Sequence, residues 1–148
     1  MANGVGDDQK FSQLLIDIPL LNTGSTRTRE LQFVFRCLTS SQHLIEPWGL
    51  LKQEQVEHLP QVVGPHGDVH AYCLFAKDEI SRMKSGSLFG YVIGEVTYYH
   101  IFNPNDQHIT QIARNVAVLA YTETPAAVFT YVTPVGRHNC ADEDCPKT

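Results

Sequence analysis

The residues with the most chemical potential lie near the C-terminus, in the run His138-Asn139-Cys140-Ala141-Asp142-Glu143-Asp144-Cys145. An imidazole and two thiolates are the ligand types that zinc prefers. His138, Cys140 and Cys145 would therefore make three ligands of a zinc site, with Asp142, Asp144 or a histidine from the folded body as the fourth. The spacing does not follow the usual pattern, because no Cys-x-x-Cys pair occurs and one histidine is local. The same cysteines would close a short disulfide loop in an oxidising compartment, or remain free thiols on an acidic, solvated tail in a reducing one. The carboxylates there lack the spacing and glycine of an EF-hand calcium loop.

A second group surrounds Asn103-Pro104-Asn105-Asp106, which reads as a turn. His100 and His108 flank it and would share a metal only if both pointed to one face of the hairpin. Beside them, Tyr98 and Tyr99 must face opposite sides of a strand, so one is directed outward. Tyr98, Tyr99, His100, Asn103, Asp106 and His108 thus form a candidate contact patch on a mobile turn. The other aromatics of the region (Tyr91, Phe102 and the single Trp48) are of types that strands use for packing.

Nothing further points to catalysis. There is no Gly-x-Ser-x-Gly elbow, and Glu95 has no evident carboxylate partner. Cys37 and Cys73 lie in apolar alternating runs, where a cysteine behaves as a small buried hydrophobe. The glycines from Gly86 to Gly94 lie in or near a strand rather than ahead of a helix, so they do not form a phosphate loop. We therefore expect no enzyme activity, and no cofactor unless the tail holds zinc.

The elements that must position these residues are mostly strands. Phe11–Leu21 puts Leu14, Ile16 and Ile18 on one face, with Pro19 marking an edge or bend. Arg29–Thr39 alternates Leu31, Phe33, Phe35 and Cys37 against Gln32 and Arg36. Asp68–Ala76 does the same with Val69, Ala71, Cys73 and Phe75. Asp78–Gly86 reads as a short helix, with Ile80 and Met83 sharing a face and Gly86 as its left-handed stop. Leu88–Phe102 is a long strand with a bulge or close backbone approach at Gly90 or Gly94. Gln107–Tyr121 returns beside it, and Ala126–Thr133 is a last strand. Lys52–Leu59 reads as a short helix ended by Pro60. About seven strands, frequent turns and a helix near 78–86 predict an all-β, antiparallel sandwich. It would span 11–134, between a flexible lead-in at 1–10 and an acidic cysteine-containing tail at 135–148.

At 148 residues and 43% hydrophobic, the chain is long enough to build one core unaided. A net charge of −5 with scattered Lys and Arg argues against nucleic acid as a partner. No run approaches the ~20 apolar residues of a membrane span.

Three motifs carry a family resemblance: Asn22-Thr23-Gly24, the run EISRMKSG, and GEVTYYHIFNPNDQHIT. Together they resemble a group of bacterial proteins with an immunoglobulin-like domain and no assigned activity. That group shows an early Asn-x-Gly turn, then G-x-I-x-Y-x-D-x-F-G and H-x-T. Gly94, Val96, Tyr98 and Phe102 occupy matching places, with His108 and Thr110 on the return, and the tail HNCADEDCP is similar as well. Two positions depart: His100 stands where the group has aspartate, and Asn103 where it has the turn glycine. The resemblance implies an immunoglobulin-like sandwich; with the strand pattern and the lack of a catalytic constellation, it leads us to expect a non-catalytic protein-binding or scaffolding module, acting on another protein or on copies of itself. Many members are tethered by an N-terminal transmembrane helix. The expected location is therefore periplasmic or membrane-tethered if such an anchor precedes Met1, and cytoplasmic if none does.

Overall fold

In the computed structural model the described residues are 13–22, 28–51, 66–100, 102–123 and 126–146. The expected lead-in at 1–10, Thr23-Gly24-Ser25 of the turn that Asn22-Thr23-Gly24-Ser25 predicts, the Lys52–Leu59 helix, and Gly64-Pro65 of the turn that Gly64-Pro65-His66-Gly67 predicts lie outside them. Among the described residues there are seven strands: β1 Gln13–Leu21, β2 Thr28–Ser40, β3 Asp68–Ala76, β4 Phe89–His100, β5 Asn103–Glu123, β6 Ala126–Pro134 and β7 Cys140–Ala141. One α-helix, α1 (Lys77–Ser85), links β3 to β4, and 3-10 turns occupy Pro47–Leu50 and Asp142–Asp144.

Every strand pairing is antiparallel. β1 and β3 form a two-stranded sheet, and β2-β4-β5-β6 form the larger one, with β7 added beside β5. The fold is an all-β sandwich with one short helix. That helix carries the chain from the small sheet to the large one.

The alternation in sequence becomes burial directly. Along β3, Ala71, Cys73 and Phe75 are buried while the residues between them are exposed. In β1, Leu14, Ile16 and Ile18 face the same interior, and Pro19 sits exposed on an edge strand where its missing N–H costs no ladder bond. Between the sheets, Phe75, Ile80, Met83, Leu88, Val92, Val116 and Val118 form one cluster, and Leu31, Phe35, Ala71 and Val96 form another. Cys37 and Cys73 are part of this interior, but as a disulfide and not as the two hydrophobes their pattern predicts. Strand alternation reveals which face a cysteine occupies and says nothing of which cysteine stands opposite.

Helix α1 is set by local chemistry. Asp78 and Glu79 fall in its first turn and Arg82 and Lys84 in its last, matching the helix dipole. Glu79 Oε1 accepts the Ala76 N–H at 2.9 Å. Gly86 takes the left-handed conformation (φ 84°), and the Ser87 N–H returns to the Arg82 carbonyl at 3.0 Å.

Gly90 and Gly94 mark close approaches, the second of the two expected alternatives. A Cβ at Gly90 would collide with the Met83 methyl and meet the Phe75 ring at 3.3 Å, and one at Gly94 would strike the Phe35 ring. The register breaks lie elsewhere, between Arg29 and Gln32 on β2, between Tyr99 and His100 on β4, and at Leu119 on β5.

The reversal after β4 also differs from expectation. His100 pairs with Asn103, while Tyr99 pairs with Gln107, so residues 104–106 are extra residues bulged out of β5 rather than the turn itself. Asn-Pro-Asn-Asp is turn-forming chemistry, and a bulge uses the same local freedom.

Part of the outer face of the large sheet is covered as well. Tyr91, Ile93 and Ala113 are buried there beneath Leu38, Leu44, Trp48, Leu50, Leu51, Phe89 and Val135. The Leu44 N–H is anchored on the Tyr91 hydroxyl at 2.8 Å. The segment after β6, expected as a loose tail, is therefore half of a lid over this second core.

Candidate functional site

The tail docks through two clusters, one near each face of β5. β6 runs beside β5 as far as Pro134, opposite Arg114. After a five-residue excursion β7 resumes the same line, with Cys140 opposite Gln111 and Ala141 opposite Thr110. Gly136 allows the excursion, since its φ of 76° suits glycine and a Cβ there would meet the Glu46 carboxylate at 2.5 Å. The same carboxylate accepts the Arg137 N–H at 3.1 Å. The Asn139 side chain replaces a ladder partner, its Oδ1 accepting the Ala113 N–H at 3.1 Å while its amide donates to the Val135 carbonyl.

His138 is carried into the interior by this loop and is 3% exposed. Its ring stacks on Trp48, with centroids 4.3 Å apart and planes 8° from parallel. Nδ1 lies 2.8 Å from Gln111 Oε1. Gln111 donates its amide to Glu95 Oε2 at 3.0 Å, so its oxygen faces the imidazole and Nδ1 must carry the proton. The result is a polar ladder, Glu95–Gln111–His138, beneath an indole. Its chemistry is to fix the tail to the sheet.

The second cluster lies at the hairpin end. His108 Nδ1 is 3.0 Å from Asp142 Oδ2 and Nε2 is 3.3 Å from Asp106 Oδ2. Tyr98, directly opposite on β4, stacks on the ring at 5.0 Å. Asp142 also accepts the Ile109 N–H at 2.9 Å and adopts φ 50°, a conformation short polar side chains tolerate. The Asp142 hydrogen bond raises the His108 pKa above its usual range against a smaller opposing effect of burial. Asp142 is lowered in turn, first by His108 and then by the Ile109 N–H. Burial, followed by the two aspartates, raises the Tyr98 hydroxyl. With a carboxylate beside each nitrogen, the charged form of His108 is favoured and its ring ties Asp106 to Asp142 as a clamp. An open acidic groove runs past it, lined by Asp106, Gln107, His108 and Asp142–Asp144.

The predicted contact patch is thus divided. Tyr98, Asp106 and His108 come together, whereas Tyr99 points to the opposite face, across from Gln107. Asn103 is occupied in accepting the Asn105 N–H, and His100 is placed by its backbone pairing with Asn103. The zinc arrangement of His138, Cys140 and Cys145 is not assembled, because the two sulfurs are bonded to each other and His138 is enclosed by Trp48 and Gln111. Among the described residues no group of three or more His, Cys, Asp or Glu side chains is disposed to hold a metal.

One further region lies open. β6 is an edge strand, paired among the described residues with β5 alone, and Phe129, Tyr131 and Val132 on it are 55%, 61% and 48% exposed. Every other edge strand longer than two residues carries a charge or an internal proline: Arg29, Glu30 and Arg36 in β2, Asp17 and Pro19 in β1, Asp68 in β3. β6, AAVFTYVTP, carries no charge, and its proline, Pro134, is its last residue. The sequence signalled it as a strand, and its uncharged composition was the available clue to an unprotected edge. Asp142 and Gln111, the other residues that reading the chain underweighted, depend on contacts across about thirty residues and left no local pattern. No protein-family model matches the chain, and neither a curated protein nor a solved structure matches it.

Proposed function

We propose that this protein is a non-catalytic, immunoglobulin-like binding module that recognises extended protein segments by strand addition along β6. The observation that carries the reading is the open edge itself, nine residues without charge and with two exposed aromatics. An unpaired row of N–H and C=O groups is a template for another strand, and natural edges are normally blunted by charge, proline or cover. Main-chain pairing would supply affinity there, with Phe129 and Tyr131 giving side-chain selectivity.

Two features support the setting. The Cys37–Cys73 bond joins β2 of one sheet to β3 of the other, and Cys140–Cys145 clips the tail. Disulfides persist in oxidising compartments, which favours an exported protein over a cytoplasmic one. The hairpin resemblance supports the immunoglobulin-like assignment and a bacterial, envelope-located protein.

The test is selection of a random peptide library on immobilised protein, with the double variant Phe129→Lys/Tyr131→Lys as counter-target. We expect enrichment of β-branched and aromatic peptides on the native edge and their loss on the variant. Peptides that bind both proteins equally, or no enrichment at all, would remove the strand-addition reading.

A further inference from the structure

We infer that the occupant of the β6 edge is β6 of a second copy, paired antiparallel about a two-fold axis at Thr130. This rests on the edge-binding reading above and names its partner. A two-fold interface must be self-complementary, each residue meeting its mirror position in the partner. The strand satisfies that condition. Val128-Phe129-Thr130-Tyr131-Val132 has the same chemistry read in either direction. Antiparallel pairing about Thr130 sets Val128 against Val132, Phe129 against Tyr131 and Thr130 against itself, with Ala127 against Thr133. Aromatic–aromatic and Thr–Thr pairs are among the cross-strand contacts that stabilise sheets.

The side chains are disposed as this pairing needs. Phe129 and Tyr131 lie opposite Ala120 and Ala117 of β5, so both stand on the outer face above small neighbours. Each aromatic would then meet an aromatic of the partner on that same face. Val128, Thr130 and Val132 lie on the inner face, opposite Tyr121, Val118 and Val116. No charge in the nine residues opposes its own copy. The β2 edge, by contrast, has Glu30 and Arg36 within its run. Pairing would join two large sheets into one continuous sheet, with the tail lids on its outer face.

A single strand seam buries less than a standard interface, so the dissociation constant is expected on the order of 10 µM. Sedimentation equilibrium of the full chain, disulfides intact, should show a species of twice 16.6 kDa forming over that range. Two charge variants test the register. Phe129→Lys/Tyr131→Lys sets lysine opposite lysine twice and should weaken association by at least about thirtyfold. Phe129→Lys/Tyr131→Glu sets lysine opposite glutamate twice and should restore it. Both sites are exposed, and melting curves of the two variants in the monomer range show whether each still folds. Thr130→Cys should cross-link to itself on mild oxidation or with a short bismaleimide, whereas Ala127→Cys should cross-link only to Thr133→Cys. A chain that stays monomeric to about 200 µM, or a dimer indifferent to both charge variants, overturns the inference. If the native chain is monomeric but still selects peptides that the double-lysine variant loses, the self-pairing fails and the edge-binding reading stands. If it dimerises and the double-lysine variant dimerises equally, the β6 edge is not the seam.

Discussion

The two disulfides are built into opposite kinds of structure. Cys37–Cys73 spans 36 residues, sits within the main core cluster and joins the two sheets of the sandwich. Cys140–Cys145 spans five residues and closes the 3-10 turn that follows β7 on the tail. One bond holds the layers together. The other shapes a segment that the His138 ladder and the His108 clamp already dock. Loop-closure entropy grows with the logarithm of the loop, so the long bond restrains the unfolded chain more than the short one. The difference teaches that the tail is an added layer whose release need not cost the fold.

The largest effect should follow from removing the inter-sheet bond. Chain entropy alone gives about 4 kcal/mol for a loop of this length, so Cys37→Ala/Cys73→Ala should lower the unfolding free energy by roughly that amount. Urea melts would measure it, and a loss below about 1 kcal/mol would mean that packing, not the bond, holds the small sheet.

Next in size is His138→Ala. It leaves Gln111 Oε1 without its donor and opens space beneath Trp48, each a recognised cause of destabilisation, together about 3 kcal/mol. Trp48 fluorescence should shift to the red as water reaches the indole. An unshifted spectrum would show that the tail closes over the gap. The Cys140→Ser/Cys145→Ser pair should cost less, about 2 kcal/mol at most by the same entropy argument. Its effect should be local. Amide exchange at Gln111, whose N–H faces β7, should accelerate while that of Val92 and Val116 does not. Uniform acceleration would place the tail clip inside the cooperative unit, and the contrast between the two bonds would collapse.

How far the sequence reveals all this follows from the range of each interaction. β3 was legible residue by residue, since period-two alternation and burial are the same fact seen twice. Helix α1 was legible because its dipole charges and glycine stop act within one turn. The 104–106 bulge was half legible: its composition announces irregular backbone but does not decide between a turn and an insertion in a ladder. The tail was not legible. Its docking depends on Trp48, Glu46, Gln111 and His108, which lie between 27 and 91 positions away from their tail partners in the chain. An acidic stretch with no alternation looks solvated when its partners are that remote. For the same reason the Cys37–Cys73 pairing could not be read, whereas the short Cys140–Cys145 loop was among the alternatives that local spacing offered.

The smallest effect concerns two histidines that are chemically alike and differently placed. His70 lies between Asp17 at 2.7 Å and Asp68 at 3.1 Å on the small sheet's outer face, with 39% of its side chain exposed, and its pKa is raised mainly by the Asp17 hydrogen bond. His108 has the same pair of carboxylates but lies under Tyr98 and holds the tail. For either histidine, a folded pKa above 6.5 means that its contribution is complete below the unfolded value. It is lost as pH rises through the folded one. Asp142 has the opposite sign: lowered below 3.8, it contributes above that value and loses its effect as pH falls through its folded pKa. The clamp should therefore be firmest between about pH 4 and 6.5 and weaken on both sides. Its worth is under about 1 kcal/mol, because His108 and Asp142 keep 27% and 45% of their side-chain surface in water. His108→Gln should flatten the alkaline side of the melting profile and quicken exchange of the Ile109 amide, whereas His70→Gln should leave that amide untouched. If both variants flatten the profile equally without moving Ile109, the two sites are equivalent surface pairs. Tyr98 and the tail would then add nothing to the clamp.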